Sequence, residues 1–325
     1  MEKRYNNYSD FLKEKYQERV YKLPVNLPGT CPNRDGNVSV NGCTFCDEDG
    51  SGFQCLSNEM SIRKQIAVNK EFFAKRFSAK GFIIYFQAFT NTYMDLESFK
   101  GCIREAAADK EILGISISTR PDCLPGTYLD FLKEIKEEYD LDIDVELGLQ
   151  TVNYRSLVKT NRGHTLAEYI DAVLQIKKRG LKSVTHLILN LPYDDMLDVI
   201  ENAKIISAVG TDYVKIHSLY IVSNTAMSQE YNNNEFSMIS LEEYVERVVS
   251  FLEYLDPKIV IQRIVGKGPQ RNLDFANWDT SWWKIKDMIE AKLEEEDTFQ
   301  GKKFNYLYGS AVNRKYLKEE GKDCL

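Results

Sequence analysis

The sequence predicts an α/β fold, and within that class a partial (β/α)6 TIM-like barrel with a C-terminal extension. Short runs of β-branched residues alternate with longer segments of helical periodicity, which is typical of parallel strands joined by crossover helices. Six such strand–helix units follow one another before residue 225, and the pattern changes beyond it. A full eight-fold barrel is the competing architecture.

Each predicted element follows from the spacing of its apolar residues. Residues 82–87, FIIYFQ, form a continuous apolar run suited to a strand buried on both faces, whereas residues 61–77 repeat apolar side chains at helical spacing. Strands are expected at 21–26, 82–87, 114–118, 143–149, 183–189 and 213–219. Helices are expected at 8–19, 61–77, 96–109, 126–139, 165–179 and 194–209, with a short helix before the fifth of these.

The C-terminal extension has elements of its own. A helix is expected at 241–255, a strand at 259–264, a Gly-rich basic loop at 266–271 and a charged helix that ends near residue 296, and the tail from 298 is left unassigned. We expect residues 1–225 to form the barrel domain, including a cysteine-containing loop at 31–46. Residues 226–325 are expected to pack on it as an α/β extension.

Composition narrows the class of protein. The net charge of −7 over 325 residues gives no electrostatic reason to expect nucleic-acid binding by the surface as a whole. No apolar run of about eighteen residues is present and the first twenty residues are charged, so we expect a cytoplasmic protein with no membrane contact. Seven cysteines, mostly unclustered, fit a reducing compartment rather than a disulfide scaffold.

Three cysteines, Cys31, Cys43 and Cys46, lie close together in the segments TCPNRDG and GCTFC. Four thiolates usually hold a [4Fe–4S] cluster, and three would leave one iron open to a small-molecule ligand. Zinc is an alternative, with Cys55 or a distant residue as the fourth ligand. A third interpretation is that the thiols are buried and unreactive. The cysteine motif alone leaves all three open.

Polar residues occur at or near the ends of the predicted strands, where a parallel barrel carries its chemistry. They are Gln87 to Thr92 after the second strand, Ser118 to Arg120 after the third, Glu146 and Gln150 on the fourth, His186 on the fifth, and Lys215 and His217 on the sixth. Each has a structural explanation on its own: Glu146 could pair with an arginine, and His186 could be a satisfied core histidine. Together they favour one shared site for a polar ligand.

These residues also carry a resemblance to the radical SAM proteins of the YtqA/YhcC type. The motifs are CPNRDG…GCTFC, FQAFTNTY, ISTRPD, VELGLQTVN followed by NRGHT, HLILNLP and VKIHSLYIVSNT. That group resembles the radical SAM domain of the elongator catalytic subunit and, more distantly, oxygen-independent coproporphyrinogen oxidase. The resemblance extends from about residue 20 to about residue 275.

The resemblance implies two cofactors, a [4Fe–4S] cluster and S-adenosylmethionine (SAM). Cys31, Cys43 and Cys46 would bind three irons, and Phe45 would pack against the adenine. Arg162 would match a position that binds the SAM carboxylate, which a guanidinium can hold in bidentate fashion. Further SAM contacts are implied for Ala88, Phe89, Thr90, Ser118, Gln150, His186 and Ile216, the last through its backbone. Distant relatives have glycines where this chain has Gln87, Ala88 and Phe89, and an acidic residue in place of His186.

The implied reaction is reductive cleavage of SAM to a 5′-deoxyadenosyl radical, which abstracts hydrogen from the substrate, with flavodoxin or ferredoxin as reductant. Similarity to the elongator subunit suggests tRNA wobble-uridine side-chain modification. Phosphate contacts would then be expected from Arg155, Lys159, Arg263, Lys267 and Arg271. The alternatives are a radical SAM enzyme acting on a small metabolite and a zinc-stabilised, non-catalytic binding module.

Overall fold

A seven-stranded parallel sheet, in the order β1-β2-β3-β4-β5-β6-β8, forms the centre of the fold. The computed structural model describes residues 3–48, 50, 52, 54–266, 268–269 and 272–316. The strands of this sheet are β1 (Val20–Val25), β2 (Gly81–Phe86), β3 (Ile112–Thr119), β4 (Asp142–Gln150), β5 (Lys182–Ile188), β6 (Tyr213–His217) and β8 (Val260–Arg263). The predicted α/β class and partial TIM-like barrel are confirmed.

Helices connect successive strands, as parallel pairing requires. In the described part of the chain they are α1 (Tyr8–Tyr16), α2 (Ile62–Phe77), α3 (Leu96–Ala107), α4 (Gly126–Tyr139), α5 (Tyr154–Lys159), α6 (Leu166–Lys178), α7 (Met196–Val209), α8 (Ala226–Asn232), α9 (Leu241–Tyr254), α10 (Trp282–Glu295) and α11 (Ser310–Tyr316). The hydrophobic core lies between these helices and the sheet, and every residue of β2 is buried, as its apolar run predicts.

The C-terminal extension contributes the seventh strand of the main sheet. β8 pairs in parallel with β6, with Tyr213 opposite Val260 and Val214 opposite Ile261. The sequence predicts this strand but not its position beside β6. A second, antiparallel sheet pairs β7 (Tyr220–Val222) with β9 (Leu273–Ala276). The division at residue 225 stays a prediction.

Helix α1 closes the amino-terminal end of the barrel. The rings of Tyr8 and Phe11 each lie 5.7 Å from the ring of Tyr213, at the start of β6, and pack against Val184 and Val260. The carboxyl ends of the strands are therefore the open end of the barrel. Among the described residues, no helix combines the length and apolarity needed to cross a bilayer.

Candidate active site

The cysteine loop, residues 31–46, lies over the carboxyl ends of the strands. It is held there by the segment that follows α5: the backbone N–H of Thr44 donates to the carbonyl of Thr160 at 3.1 Å. The side-chain amide of Asn161 donates to the carbonyl of Gly42 at 2.7 Å, and that of Asn33 donates to the carbonyl of Asn161. The loop is therefore anchored to the barrel by hydrogen bonds on both sides of Cys43.

Two of the three sulfurs receive hydrogen bonds from the surrounding protein. Cys43 Sγ lies 3.1 Å from Arg162 Nη1 and 3.5 Å from Asn33 Nδ2, and Cys46 Sγ lies 3.2 Å from Arg34 Nη2. Burial and the neighbouring Cys43 raise the pKa of the Cys46 thiol to about 12, and Arg34 opposes that shift. N–H donors directed at sulfur stabilise its negative charge, as they do around bound iron–sulfur clusters.

The three cysteines fit a [4Fe–4S] cluster. All three line one cavity, and cationic side chains at Cys43 and Cys46 would offset the charge of bound thiolates. Within the described residues, no three His, Cys, Asp or Glu side chains are placed to share a single metal ion. A [4Fe–4S] cluster does not require such a set, because each thiolate binds a different iron.

The same cavity contains most of the residues that were predicted to contact SAM. They are Phe45, Phe89, Thr90, Ser118, Gln150, Arg162 and His186. The side chains of Ala88 and Ile216 are instead buried in the protein interior, with 3% and 0% exposure. Ile216 was expected to act through its backbone, and the contacts of both residues with SAM stay predictions.

Two strand-end residues adopt the left-handed backbone region. Phe89 has φ +56°, and Gln150 has φ +75° beside an irregularity in the β4–β5 ladder. Glycine takes this conformation without steric cost, whereas residues with a Cβ adopt it rarely. The backbone at Phe89 therefore has a conformation that glycine readily adopts. The Phe89 ring packs against Gly50.

Arg162 lies between the cysteine loop and β4. Besides Cys43, its guanidinium donates through Nη2 to the carbonyl of Gly148 at 2.5 Å and lies 3.0 Å from His164 Nε2. Burial and the adjacent guanidinium lower the pKa of His164 to about 3, so this imidazole is neutral near pH 7. Arg162 is thus fixed at the rim of the cavity, and its contact with the SAM carboxylate stays a prediction.

Glu146 organises the polar floor of the cavity. Its Oε1 lies 2.6 Å from both Lys22 Nζ and Ser116 Oγ, and its Oε2 lies 2.6 Å from His186 Nε2 and 2.5 Å from Lys215 Nζ. Although burial opposes ionisation, the two ammonium groups hold the pKa of Glu146 well below its usual range. The prediction that Glu146 could pair with an arginine is wrong, because its partners are lysines and a histidine.

Two histidines stack beside this carboxylate. The rings of His186 and His217 lie 5.2 Å apart at 25°. Burial, and then Lys215, lower the pKa of His186 to about 4, while burial, and then Arg263, lower that of His217 well below its usual value. Burial also pulls the pKa of Lys215 down to about 7, against the attraction of Glu146. Both imidazoles are therefore neutral hydrogen-bonding groups at the cavity floor.

No role at this site was predicted from the sequence for Lys22, Asn33 or Arg34, nor for Ser116 or His164, which contact Glu146 and Arg162. Lys22 lies within the strand VYKLPV. A charged residue among apolar ones was the only feature of the sequence that could have indicated a role for it. Asn33 and Arg34 lie inside the cysteine motif, but their direction towards the sulfurs depends on the fold of the loop.

The residues expected to contact RNA phosphates do not share one surface. Arg155 and Lys159 are exposed on α5. Arg263 instead lines the interior cavity, so its prediction as an outer phosphate contact is not supported. Lys267 and Arg271 lie outside the described residues.

Comparison with known proteins agrees with this architecture. The model of the Radical SAM superfamily matches residues 30–206, and that of the Radical_SAM C-terminal domain matches residues 211–295. The chain is 34% identical to the uncharacterized protein YtqA of Bacillus subtilis over 94% of each chain. It is 29% identical to the tRNA uridine(34) acetyltransferase of Methanocaldococcus jannaschii, over 47% of this chain and 28% of that protein. The solved structure of Methanocaldococcus infernus Elp3 superposes with a TM-score of 0.65 at 17% identity, covering 86% of this chain and 64% of that one.

Proposed function

The chain belongs to the radical SAM superfamily, whose members bind a [4Fe–4S] cluster and SAM, and on that premise we propose that it modifies the side chain of the wobble uridine of tRNA. When bound, the cluster supplies the electron that cleaves SAM reductively, and the radical released abstracts hydrogen from the substrate. Membership of this superfamily sets the zinc-stabilised binding module aside.

The single observation that carries the proposal is the continuous cavity between the cysteine loop and the charged barrel floor. Cys31, Cys43 and Cys46 line one part of it, and Glu146 with His186 lines another. A substrate group in this cavity would lie between the cofactor side and a floor able to orient it. Arg34 and Arg162 would stabilise the negative charge of the thiolate sulfurs. The neutral imidazoles of His186 and His217 would donate hydrogen bonds to the substrate or accept them from it.

An exposed helix beside the cavity supports a nucleic-acid substrate. Arg155 and Lys159 are exposed on α5, and so are Tyr154 and Val158, with 62% and 60% exposure. Lysine and arginine bind phosphates, and an exposed aromatic ring can stack on a base. Because Thr160, which follows α5, is hydrogen-bonded to the cysteine loop, this surface lies next to the catalytic loop.

The similarity to a tRNA uridine(34) acetyltransferase supports the choice of nucleoside. That name belongs to a protein of which this chain spans about a quarter, so it indicates the substrate class rather than the reaction.

Nucleoside analysis by mass spectrometry tests the proposal. tRNA from cells lacking this protein should show a changed wobble uridine, wild-type protein should restore it, and Cys43→Ser should not. Cys102→Ser, on α3 and away from the cysteine loop, should restore it as the wild type does. An unchanged nucleoside profile would reject tRNA as substrate.

The role of α5 is tested by RNA binding. The double variant Arg155→Gln/Lys159→Gln should weaken tRNA binding and reduce the slope of log K against log salt by about two. Arg63→Gln/Lys64→Gln, two exposed cations on α2, should leave both unchanged. Equal binding and equal slope in all three proteins would contradict a phosphate contact on α5.

A small metabolite is the second candidate substrate. The observation that favours it is the net charge of −7, which repels the negatively charged RNA backbone at long range. An unchanged tRNA profile together with SAM cleavage by the purified protein would make this the better hypothesis.

A further inference from the structure

We propose that Arg263 and His217 form a subsite on the cavity floor that binds a carboxylate of the substrate. The inference rests on the proposed function only in taking this cavity as the substrate pocket. Arg263 is the last residue of β8 and lies opposite Lys215 of β6 in the main sheet. Both Arg263 and His217 line the cavity that contains the three cysteines.

Arg263 is a half-buried cation without a carboxylate partner in the described part of the chain. Its guanidinium carries a positive charge. A charge removed from water is costly unless an opposite charge or several hydrogen bonds compensate it. The floor therefore retains a site for an anion that no described side chain supplies.

The neighbouring carboxylate cannot serve as that anion. Both oxygens of Glu146 are occupied, one by Lys22 and Ser116 and the other by His186 and Lys215. Lys22 also lies 4.0 Å from the other buried acid of the floor, Asp144. Burial raises the pKa of Asp144 to about 7, so it is only partly ionised near neutral pH. Arg263 thus remains the unmatched charge.

Two buried nitrogen atoms on β6 and β8 also have no partner, and one of them belongs to His217, which lines the cavity together with Arg263. His217 Nε2 and Gln262 Nε2 are each buried without a hydrogen bond to any described residue. A buried nitrogen of this kind is normally paired, by protein or by a bound group. Gln262 precedes Arg263 on β8, and its side-chain oxygen accepts from Lys22 on the opposite edge of the sheet at 3.0 Å.

These groups match a carboxylate better than a phosphate. A guanidinium binds a planar carboxylate through two parallel N–H bonds, and one further N–H from a neutral imidazole fits its remaining lone pairs. One unmatched positive charge balances one monoanion, whereas a phosphate dianion would leave an excess of negative charge. The part of the substrate deepest in the barrel therefore carries a carboxylate, which in a tRNA substrate would belong to a side chain on the uridine, because the base and the phosphodiester backbone have none.

Ring-nitrogen NMR can test this subsite directly, because the chain has only three histidines. The full chain, with its cluster and saturating SAM, would be labelled with 15N-histidine and titrated with acetate, acetamide or inorganic phosphate at constant ionic strength. Acetate should give a saturable shift at His217, with acetamide binding about ten-fold or more weakly. In Arg263→Gln the affinity for acetate should fall about ten-fold or more.

Arg63→Gln on the outside of α2 serves as the control and should bind acetate as the wild type does. Arg263→Lys keeps the positive charge and should retain part of the preference for acetate over acetamide. The test therefore does not depend on the folding of a single variant. Equal responses to acetate and acetamide, tighter binding of phosphate, or an unchanged affinity in Arg263→Gln would overturn the inference. Formation of 5′-deoxyadenosine by the same samples reports separately on the radical SAM reaction.

Discussion

At the scale of single residues, the barrel interior depends on charges that compensate each other. Glu146 is fully buried and accepts from four side chains contributed by four different strands, β1, β3, β5 and β6. Removing a carboxylate of this kind leaves buried cations unpaired, which typically costs 3–5 kcal/mol. The network therefore fixes the relative positions of strands on opposite sides of the cavity.

His186 gives this network a dependence on pH. Its folded pKa of about 4 lies below the ordinary value near 6.5, so the unfolded chain binds the proton first. The contribution of His186 to the free energy of unfolding should therefore fall as the pH decreases from about 6.5 towards 4, by up to about 1.4 kcal/mol per pH unit, and the difference between the wild type and His186→Gln isolates it. Urea denaturation of the cluster-free chain between pH 7.5 and 5.5 measures this slope.

His186→Gln should show a shallower slope, because one of the buried neutral histidines is gone. The slope that remains combines His164 and His217, whose lowered pKa values act in the same direction, with Asp144 and Asp194, whose pKa values are raised by burial and act in the opposite direction. Identical slopes in the wild type and His186→Gln would contradict the buried neutral imidazole.

The sequence showed which polar residues gather at the strand ends, but not how they pair. Alternation within a parallel barrel is enough to bring Glu146, His186 and Lys215 to one interior. The partnership with Lys22 could not be predicted, because it joins two strands, β1 and β4, that are separated by two others in the sheet. The direction of Arg263 into the cavity likewise depends on β8 lying beside β6.

At the scale of elements, the cysteine loop depends on close contact with the segment between α5 and α6. Gly163 has φ +72°, and a Cβ there would lie 2.5 Å from Val38 Cγ1 and 2.7 Å from Asn33 Oδ1. Gly180 has a similar φ of +67°, but a Cβ there would meet nothing within 4 Å. The two glycines thus share the same backbone requirement and differ only in crowding.

Gly163→Ala should therefore disturb the cysteine loop, whereas Gly180→Ala should not. Both variants carry a backbone cost of about 1–2 kcal/mol from the left-handed conformation. Only Gly163→Ala should displace Asn33, and we expect iron to be lost to a chelator about ten-fold more readily. Iron content after reconstitution and chelation measures this, and equal retention in both variants would argue against the packing role of Gly163.

The four elements that the sequence did not reveal are short, although two others of similar length, α5 and β8, were predicted. β7 and β9 span three and four residues, too few for a period of two to be recognised. Helices α8 and α11 span seven residues each and were missed for the same reason. The long strands and helices of the first six units were predicted within a few residues, because their apolar periodicity extends over several turns or pleats.

At the scale of the whole molecule, the C-terminal extension completes the sheet that carries the site. β8 supplies Arg263, and α9 contributes Tyr244 and Phe251, which are fully buried in the main core. We expect a chain ending at residue 225 to lack a cooperative unfolding transition, because it would expose the edge of β6 and this part of the core.

A chain ending at residue 309 is the matched control. It lacks α11, none of whose residues is buried, and should unfold as cooperatively as the full chain. A sharp transition in the chain ending at 225 would instead show that the predicted barrel domain is an independent folding unit.

The central claim is that three cysteines at the open end of this barrel hold a cluster that cleaves SAM. The most direct measurement is EPR of the anaerobically reconstituted and reduced protein, with and without SAM, alongside analysis of the products. We predict a [4Fe–4S]⁺ signal that changes when SAM is added, together with 5′-deoxyadenosine, and loss of both in Cys43→Ser. Tight stoichiometric zinc, with no cluster signal and no 5′-deoxyadenosine, would contradict the account.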